Sequence, residues 1–282
     1  MSERRPPLRR RLFAPVNEIV LAAVALLYMV PVIYTVTSSL KPNGEIFSQP
    51  PSLFGSEIRW QNYVEVFDYA PFLRYILNGF IASAGATLVV LISSALAAYS
   101  FGILRWRGRD MTMLGYLATM MIPQEVLVIP MFLLMQRIGW INTWQALILP
   151  WAFGAFGTFL LRQFFRSLPY ELVEASRMDG CNNLQTFWRI ILPLAKPSLA
   201  VLGVWTFITQ WNSFLWPLIV VNDIEGLGNV SLGLQTFFGE HGNAWNLVLA
   251  ASVISIAPTM LVVIALQRHL VKGIATVGLA GR

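Results

Sequence analysis

Residues 174–193, EASRMDGCNNLQTFWRIILP, form a polar segment between apolar stretches that are long enough to cross a lipid bilayer. Glu174 suits the first turns of a helix, because the positive end of the helix dipole stabilises a carboxylate. Gly180 suits a left-handed turn after that helix, and Asn182 or Asn183 suits the cap of a second one. The segment therefore predicts two short helices joined by a tight turn.

The second of these helices is expected to be amphipathic. Its apolar side chains recur at i, i+3, i+4 and i+7, which places them on one face, and they are Leu184, Phe187, Trp188 and Ile191. Pro193 is expected to end the helix. Such a pair either rests on lipid as a connector or docks in a groove of a soluble partner. The residues alone leave both interpretations open.

The composition of the whole chain indicates a membrane protein. Of its 282 residues, 56% are hydrophobic and only 12% are charged. Soluble domains carry roughly 25% charged residues, so this chain cannot cover a globule of its size with polar surface. The net charge of +6 is therefore interpreted as a set of topology signals rather than as a nucleic-acid surface.

Six apolar runs are long enough for membrane-spanning helices, since a bilayer core needs roughly 20 residues of helix. They are Ile19–Leu40, Tyr75–Leu104, Met111–Gln136, Ile138–Leu161, Pro197–Asn222 and Gly242–Gln267. The first run is longer than a signal-peptide core and no A-x-A site follows it, so an uncleaved helix is expected. We expect an all-α polytopic membrane protein. Its predicted parts are an N-terminal segment (1–18), a six-span domain (19–270) and a tail (271–282).

The basic residues predict the orientation. Sixteen of the 20 lie in segments that are cytoplasmic if the N-terminus is inside, namely 1–18, 105–110, 162–196 and 268–282. The other four are Lys41, Arg59, Arg74 and Arg137. This positive-inside bias predicts that both termini and residues 174–193 are cytoplasmic, and that segments 41–74 and 222–245 are external.

Residues suited to catalysis or metal binding are scarce. Cys181 is the only cysteine, and His241 and His269 are far apart in the chain. No HExxH, GxSxG, Walker A or GxGxxG pattern occurs. We therefore expect no catalytic residues and no metal ligands in this chain.

The polar segment resembles a known motif. EASRMDG, nine further residues and IILP are similar to the EAA(x)3G(x)9I(x)LP loop of binding-protein-dependent ABC importer permeases, with Ser176 at the third small position. The sugar-permease branch, of the maltose-permease type, also has stretches similar to MIPQEVLVIP (121–130), INTWQALILP (141–150), FLLRQFF (159–165) and WNSFLWPL (211–218). The resemblance extends over nearly the whole chain.

This resemblance implies that residues 167–193 are a coupling loop that sits in a cleft of an ATPase subunit. Closure of two ATPases around ATP and Mg²⁺ would then rock the membrane helices, while this chain itself binds no cofactor. The residues to which the resemblance assigns the coupling contact are Glu174, Ala175, Ser176, Arg177, Asp179, Gly180, Ile190, Leu192 and Pro193.

The resemblance also implies the remaining partners and the location. A second homologous permease would complete a heterodimer, and an extracytoplasmic solute-binding protein would deliver a carbohydrate substrate. Membrane lipids surround such a subunit, and nucleic acid has no part in its function. The expected location is the bacterial or archaeal cytoplasmic (inner) membrane.

Two groups of residues are candidates for the translocation path. Glu125 lies about midway along the third run, where a carboxylate costs about 2.5–3.5 kcal/mol to insert. In one interpretation, Glu125 faces a solute path or a subunit interface. In the other, it is a structural partner for backbone groups whose helical hydrogen bonds are broken at Pro123 and Pro130. The second group is Gln210, Trp211, Asn212 and Trp216. Amides beside indoles suit a sugar, but we prefer helix contacts and an interfacial aromatic belt.

The external stretch QTFFGEHGNAW (235–245) is the last candidate. By resemblance it reaches into the sugar cleft of the binding protein; otherwise it is a plain solvated connection. The candidate contact residues are Gln235, Phe237, Phe238, Glu240, His241 and Trp245.

Rival functions explain less. A secondary transporter that uses Glu125 for ion coupling would usually need inverted repeats and more spans, and it leaves residues 174–193 unexplained. An intramembrane enzyme lacks a paired nucleophile and base. We therefore predict a permease subunit of an ATP-driven importer that works by alternating access.

Overall fold

The computed structural model describes residues 8–239 and 242–279, and these are mostly helical. Residues 1–7 and 280–282, with Glu240 and His241, lie outside the described part. The α-helices are α1 (Leu8–Ser38), α2 (Gln61–Tyr69), α3 (Phe72–Gly102), α4 (Arg109–Ala118), α5 (Gln124–Arg137), α6 (Trp144–Ile148), α7 (Ala155–Ser167), α8 (Glu171–Met178), α9 (Asn183–Thr186), α10 (Leu192–Leu194), α11 (Lys196–Trp211), α12 (Leu215–Val220), α13 (Ile224–Leu227), α14 (Val230–Gly233) and α15 (Trp245–Leu279).

Shorter elements connect these helices. Three 3₁₀ turns and one π turn are Asn43–Glu45, Thr119–Met121, Leu234–Phe237 and Phe187–Ile191. Two strands of two residues each, β1 (Phe238–Gly239) and β2 (Gly242–Asn243), pair in antiparallel register as a small hairpin. The predicted all-α polytopic class is confirmed, with this hairpin as a minor addition.

The predicted number of six spans is not confirmed. Three helices of the described part are long and apolar enough to cross a membrane, namely Glu18–Ser38, Phe72–Gly102 and Trp245–Arg268. Two bent pairs raise the number to five if each pair is one span. The pairs are Arg109–Met121 with Gln124–Arg137, bent by 96°, and Asn183–Leu194 with Lys196–Trp211, bent by 77°.

The third apolar run is broken where a continuous helix was expected. Pro123 precedes α5 with φ −59° and ψ 135°, and Ile122 before it is extended at φ −84° and ψ 116°. A proline has no N–H to donate and pushes the preceding residue out of the helical region, so the chain bends here. Glu125 therefore lies in the first turn of α5 and not midway along a helix.

The fourth run, 138–161, is not one helix either. Gly139 and Asn142 both have positive φ, at 72° and 58°, which interrupts helical geometry. Thr143 then starts the short α6 by accepting a hydrogen bond from the Ala146 N–H. A further break, with Gly154 extended at φ −81° and ψ 140°, separates α6 from α7.

The described residues form two compact units. The first comprises residues 8–69 and 237–254, and the second comprises 70–236 and 255–279. One core cluster of the second unit lies where α7 and α11 pack on α3 and on the segment 171–195, and another lies around Val128, Leu147 and Trp216. Gly157 of α7 permits this packing, because a Cβ atom there would overlap the Ser94 hydroxyl of α3.

Candidate functional site

The predicted pair of short helices in the coupling loop is confirmed. The first is α8, and Gly180 after it has φ 80°, the left-handed conformation that the turn requires. Asn182 is the cap of the second helix: its side chain accepts a hydrogen bond from the Gln185 N–H at 2.8 Å. The Gln185 side chain accepts one from the Asn182 N–H at 2.9 Å, which completes a capping box.

Pro193 does not end the second helix, which corrects the sequence prediction. The π turn Phe187–Ile191 runs directly into α10, and the Leu192 N–H donates to the Phe187 carbonyl. A π turn is wider than an α turn, so the proline ring can follow it without the usual clash with a preceding carbonyl. The 77° bend into α11 follows at Ala195.

The coupling loop is anchored to the core of the second unit. Val173, Phe187 and Ile191 are 1%, 2% and 0% exposed and pack among residues of α3, α7 and α11. The ring of Phe187 lies 5.2 Å from the ring of Tyr99 on α3. A loop packed in this way moves together with the helices that it contacts.

The predicted four-residue apolar face is divided. Phe187 and Ile191 are buried, whereas Leu184 and Trp188 are 59% and 50% exposed. Met178 at the end of α8 is 84% exposed. Exposed apolar side chains of this size mark a contact surface when they occur together.

Ser176 faces inward, towards the second helix. It is 2% exposed, and its hydroxyl donates to the Val173 carbonyl at 2.7 Å. The Thr186 hydroxyl lies 2.9 Å from it and 3.1 Å from the Asn182 carbonyl. Two hydroxyl hydrogens are therefore shared among three contacts, of which only the one between Ser176 and Thr186 crosses the turn. Sequence reasoning missed Thr186, because nothing in the local pattern pairs it with Ser176.

The other motif residues of the first helix and turn face outward. Glu174, Ala175, Arg177, Asp179 and Gly180 are all exposed. Within residues 8–239 and 242–279, the Glu174 carboxylate has no ion-pair partner. The outward face of α8 therefore presents an unpaired carboxylate to solvent.

The last three motif residues lie farther along the loop. Ile190 and Leu192 are half-buried against the core, and Pro193 is exposed.

A second candidate site is a cavity of about 360 Å³ in the second unit. Its polar lining comes from the start of α5, from α11 and from residues 213–216, which follow α11. The lining residues that the sequence also selected are Glu125, Gln210 and Trp216, and sequence reasoning missed Gln124, Thr206, Thr209, Trp151 and Trp205.

Two residues of the predicted path lie elsewhere. Trp211 is 3% exposed, stacks on Phe207 with ring centroids 5.9 Å apart, and donates from Nε1 to the Ser255 carbonyl at 3.1 Å. Asn212 donates from Nδ2 to the Ile208 carbonyl at 2.9 Å and does not line the cavity. Helical geometry separates these side chains from their neighbour Gln210.

The cavity combines a carboxylate, amides and hydroxyl groups with apolar and aromatic side chains. Glu125 is its only charged lining residue in the described part of the chain, and it lies at a helix N-terminus, where the dipole stabilises the carboxylate. Trp216 donates from Nε1 to the Ala146 carbonyl at 2.8 Å, and its ring packs on Trp151 at 5.5 Å. The indole faces are thus held in place, while the amide of Gln210 has no hydrogen-bond partner in the described residues.

The predicted binding-protein loop is partly described. Phe237 is 0% exposed and stacks on Tyr69, with ring centroids 5.4 Å apart. Phe238 is 38% exposed, and its ring lies 5.2 Å from that of Trp245. Gln235 is exposed. Glu240 and His241 lie outside the described residues.

Arg162 is a structural residue that sequence reasoning counted only as a cytoplasmic charge. It is 7% exposed; Nε donates to the Phe101 carbonyl at 3.0 Å and Nη2 to Asp110 at 3.1 Å. It therefore ties α7 to the end of α3 and the start of α4.

Apolar helices long enough to span a membrane, a cavity with polar and aromatic side chains and an anchored polar loop are features of a helical membrane protein. Residues 90–276 match the family described as "Binding-protein-dependent transport system inner membrane component". The chain therefore belongs to this family, as the motif predicted. It is a permease subunit of an ATP-driven importer for a carbohydrate or related solute in a bacterial membrane, and it is not an enzyme.

Individual relatives are similar over most of their length. The arabinooligosaccharides transport system permease protein of Halalkalibacterium halodurans is 31% identical over 263 residues, which are 92% of this chain and 94% of that protein. The sn-glycerol-3-phosphate transport system permease protein of Salmonella typhi is 38% identical over 217 residues, 76% of each chain.

Solved structures share the fold. A bacterial ABC transporter involved in the import of the acidic polysaccharide alginate has a chain with a TM-score of 0.80 and 26% identity, and the match covers 95% of this chain and 100% of that one. A chain of the alginate transporter in complex with an alginate pentasaccharide-bound periplasmic protein has a TM-score of 0.65 at 17% identity, over 92% and 94% of the two chains.

Proposed function

We propose that this chain forms one half of a translocation path and works beside a second, homologous permease. Two ATPase subunits hold ATP and Mg²⁺ on the cytoplasmic side, and a solute-binding protein delivers the solute from outside. Both termini lie in the cytoplasm, as the excess of basic residues in the segments assigned to that side favours. The observation that supports this proposal best concerns the coupling loop. One face of the loop is buried in the core of the second unit, and the other face is exposed.

The exposed face of α8 suits an ATPase cleft. Glu174 offers an unpaired carboxylate for a basic group, and Ala175 is a small exposed residue that permits close approach. Met178 and Leu184 add apolar area at 84% and 59% exposure. An exposed helix face with apolar side chains can dock in a groove of a partner, and a charge on it can fix the orientation.

Movement of the loop reaches the solute path through α11. The helical segment Asn183–Leu194 is followed by α11 after a 77° bend, and Thr206 and Gln210 of α11 line the cavity. Phe187 and Ile191 are packed in the same core as Leu202 of α11. Closure of the ATPases would therefore shift α11 as a packed unit, which opens the path alternately to either side.

The cavity suits a carbohydrate or a carbohydrate-derived solute. Its amide, hydroxyl and carboxylate groups can exchange hydrogen bonds with sugar hydroxyls, and its indole rings offer flat apolar faces for sugar C–H groups. The similar permeases are named for arabinooligosaccharides and sn-glycerol 3-phosphate, which are both polyhydroxylated.

Uptake into proteoliposomes tests this function. The vesicles would contain this chain, its companion permease and both ATPases, with the solute-binding protein outside and ATP inside. Arabinooligosaccharides, sn-glycerol 3-phosphate, maltose and alginate oligosaccharides would be offered in turn. We expect ATP-dependent accumulation of at least one. Accumulation driven by an ion gradient in vesicles without the ATPases would instead identify a secondary transporter.

A further inference from the structure

An open cleft rich in arginine lies at the loop between α3 and α4. Gly102 ends α3 and Arg109 begins α4, so residues 103–108 alone connect the two helices. The cleft has a volume of about 390 Å³. Its lining residues are Arg105, Trp106, Gly108, Arg109, Asp110 and Met111. We call this site the basic cleft.

Positive charge exceeds negative charge at the basic cleft. Asp110 is the only carboxylate among the described lining residues, and two guanidinium groups already bind it. Arg109 donates from Nε at 3.2 Å and Arg162 from Nη2 at 3.1 Å, both to Oδ1 of Asp110. Arg105 and its neighbour Arg107 are exposed, and neither has a carboxylate partner within residues 8–239 and 242–279. Two guanidinium groups are therefore left for an anion.

Contacts with neighbouring residues hold the loop of the basic cleft in place. The Arg105 guanidinium lies 4.7 Å from the centre of the Tyr170 ring. Trp106 donates from Nε1 to the Ser100 carbonyl at 3.2 Å, and its ring lies 5.7 Å from that of Phe101. An arginine that is oriented before it binds loses less side-chain entropy when an anion arrives.

The basic cleft joins two helices that are apolar enough to lie in a membrane. Residues Phe72–Gly102 are long enough to span it, and α4 belongs to the bent pair Arg109–Met121 with Gln124–Arg137. Trp106 is 40% exposed, and tryptophan is enriched at the level of the lipid headgroups. Met111 and Leu114 are 75% and 63% exposed on one face of α4. A ligand with an anionic head and apolar tails matches both parts of this surface.

We propose that the basic cleft binds the headgroup phosphate of an anionic phospholipid from the cytoplasmic leaflet. The choice of leaflet rests on the proposed function, which places residues 105–110 in the cytoplasm. A guanidinium group binds phosphate oxygens through two parallel hydrogen bonds. Basic pockets between membrane helices on the cytoplasmic side bind headgroups of this kind.

The arrangement of the arginines favours a bound lipid over a topology signal alone. A topology signal requires only that basic residues lie near the end of a span. Here one unpaired guanidinium is oriented by the Tyr170 ring and lines a cleft, and exposed apolar side chains continue the same surface along α4. A soluble anion would use the guanidinium groups but gain nothing from Met111 and Leu114.

Photolabelling of the complete detergent-purified importer tests the proposal. A photoreactive phosphatidylglycerol is titrated, and labelling of α4 is quantified by mass spectrometry, with photoreactive phosphatidylcholine as the reference lipid. We expect half-maximal labelling of the wild type at a lower concentration of phosphatidylglycerol than of phosphatidylcholine. Arg105→Gln/Arg107→Gln should raise the half-maximal concentration of phosphatidylglycerol roughly twentyfold, from about fivefold for each charge removed.

Two further double variants are the controls. Arg74→Gln/Arg137→Gln removes the same charge from two exposed arginines of the predicted external segments and should follow the wild-type curve. Arg105→Lys/Arg107→Lys keeps both charges and should stay within about threefold of the wild type.

Four results would overturn the headgroup site. They are equal titration curves for Arg105→Gln/Arg107→Gln and the wild type, equal weakening by Arg74→Gln/Arg137→Gln, equal labelling by the two lipids, and displacement of the lipid by inorganic phosphate. A photoreactive amino acid at position 107 should cross-link to phospholipid in vesicles. A cross-link to an ATPase subunit in its place would assign the cleft to a protein partner and overturn the lipid site.

Cysteine labelling tests separately the orientation on which the choice of leaflet rests. In a Cys181→Ser background, Arg107→Cys should react with a membrane-impermeant maleimide in inverted vesicles and not in intact cells. Reaction in intact cells alone would contradict the orientation in the proposed function. Failure of the photolabelling with the expected cysteine pattern would contradict the lipid site and leave the proposed function standing.

Discussion

Ser176 stands where the coupling motif usually has alanine, and it has a contact that alanine cannot make. Its hydroxyl and that of Thr186 meet at 2.9 Å across the turn, and both are buried. The resemblance assigns this residue to the contact with an ATPase subunit. Its position inside the loop means that it sets the distance between two helices of this chain.

Single substitutions at this pair should be mild. Ser176→Ala leaves Thr186 free to donate to the Asn182 carbonyl, and Thr186→Val leaves Ser176 bonded to the Val173 carbonyl. Each is expected to lower the free energy of unfolding by about 1 kcal/mol. The double variant should cost less than the sum, because both singles remove the same contact. Thermal unfolding of the purified subunit checks this, and strictly additive losses would show that the hydroxyls do not interact.

Glu174 is the outward counterpart of Ser176 on the same helix. We expect Glu174→Lys to abolish ATP-driven uptake while the helices remain inserted, because it reverses the charge offered to the ATPase. Glu171→Lys is the matched control, since Glu171 is exposed one turn earlier and lies outside the motif. ATPase activity and uptake would be measured in the same vesicles. Wild-type uptake by Glu174→Lys would exclude the assigned coupling role.

At the scale of elements, the turn between α8 and α9 depends on backbone geometry. Gly180 has φ 80°, and its N–H donates to the Arg177 carbonyl at 3.1 Å. Gly180→Pro would lose the donor and cannot reach this φ, so uptake should be lost. Gly180→Asn should retain most uptake, because asparagine tolerates the left-handed region. Equal uptake by both variants would show that the turn is not needed for coupling.

A buried cation on α7 adds hydrogen bonds to the packing that attaches this helix. Arg162 bonds to the Phe101 carbonyl and to Asp110, whereas Arg166 lies one turn later and is exposed. Arg162→Ala should lower the free energy of unfolding by about 2 kcal/mol, since the Phe101 carbonyl loses its charged donor and a buried side chain is removed from the packing of α7. Arg166→Ala should change it by less than about 0.5 kcal/mol. Thermal unfolding in detergent would compare the two, and similar losses would contradict the assigned role.

At the scale of the whole molecule, the helix that follows the coupling loop, α11, also lines the cavity. Residues 183–194 lead through a bend into α11, whose last turns line the cavity. In the proposed function, a displacement of the coupling loop by an ATPase would reach the cavity through these packed side chains.

Two neighbouring amides at the end of α11 test the cavity. Gln210 lines it without a hydrogen-bond partner in the described residues, and Asn212 points elsewhere and bonds to the Ile208 carbonyl. Gln210→Ala should lower uptake of the transported sugar roughly tenfold, as expected for loss of one or two hydrogen bonds to the solute. Asn212→Ala should leave uptake within about twofold of wild type. A larger loss of uptake in Asn212→Ala than in Gln210→Ala would place the solute path on another face of α11.

Local chemistry made the coupling loop predictable. A left-handed glycine, an asparagine cap and the positions of two short helices depend on residues within one or two turns of each other. The break in the third apolar run is a different case. Pro123 is a local signal for a helix break, but the length of the run favours one continuous helix. The interruption at Asn142, with φ 58°, had no comparable local signal.

The amino-acid sequence by itself determined the membrane class and the helix–turn–helix, because composition and short-range spacing suffice for these, and its resemblance to a known motif indicated the family. Only the tertiary structure decided which side chains meet. Arg162 and Phe101 are 61 residues apart, Trp216 and Ala146 are 70 apart, and Asn246 and Asn62 are 184 apart. Burial of such groups requires partners that no local pattern specifies, since any distant segment of suitable chemistry could satisfy the same hydrogen bonds. The inward orientation of the Ser176 side chain and the different directions of the Gln210 and Asn212 side chains follow from packing in the same way.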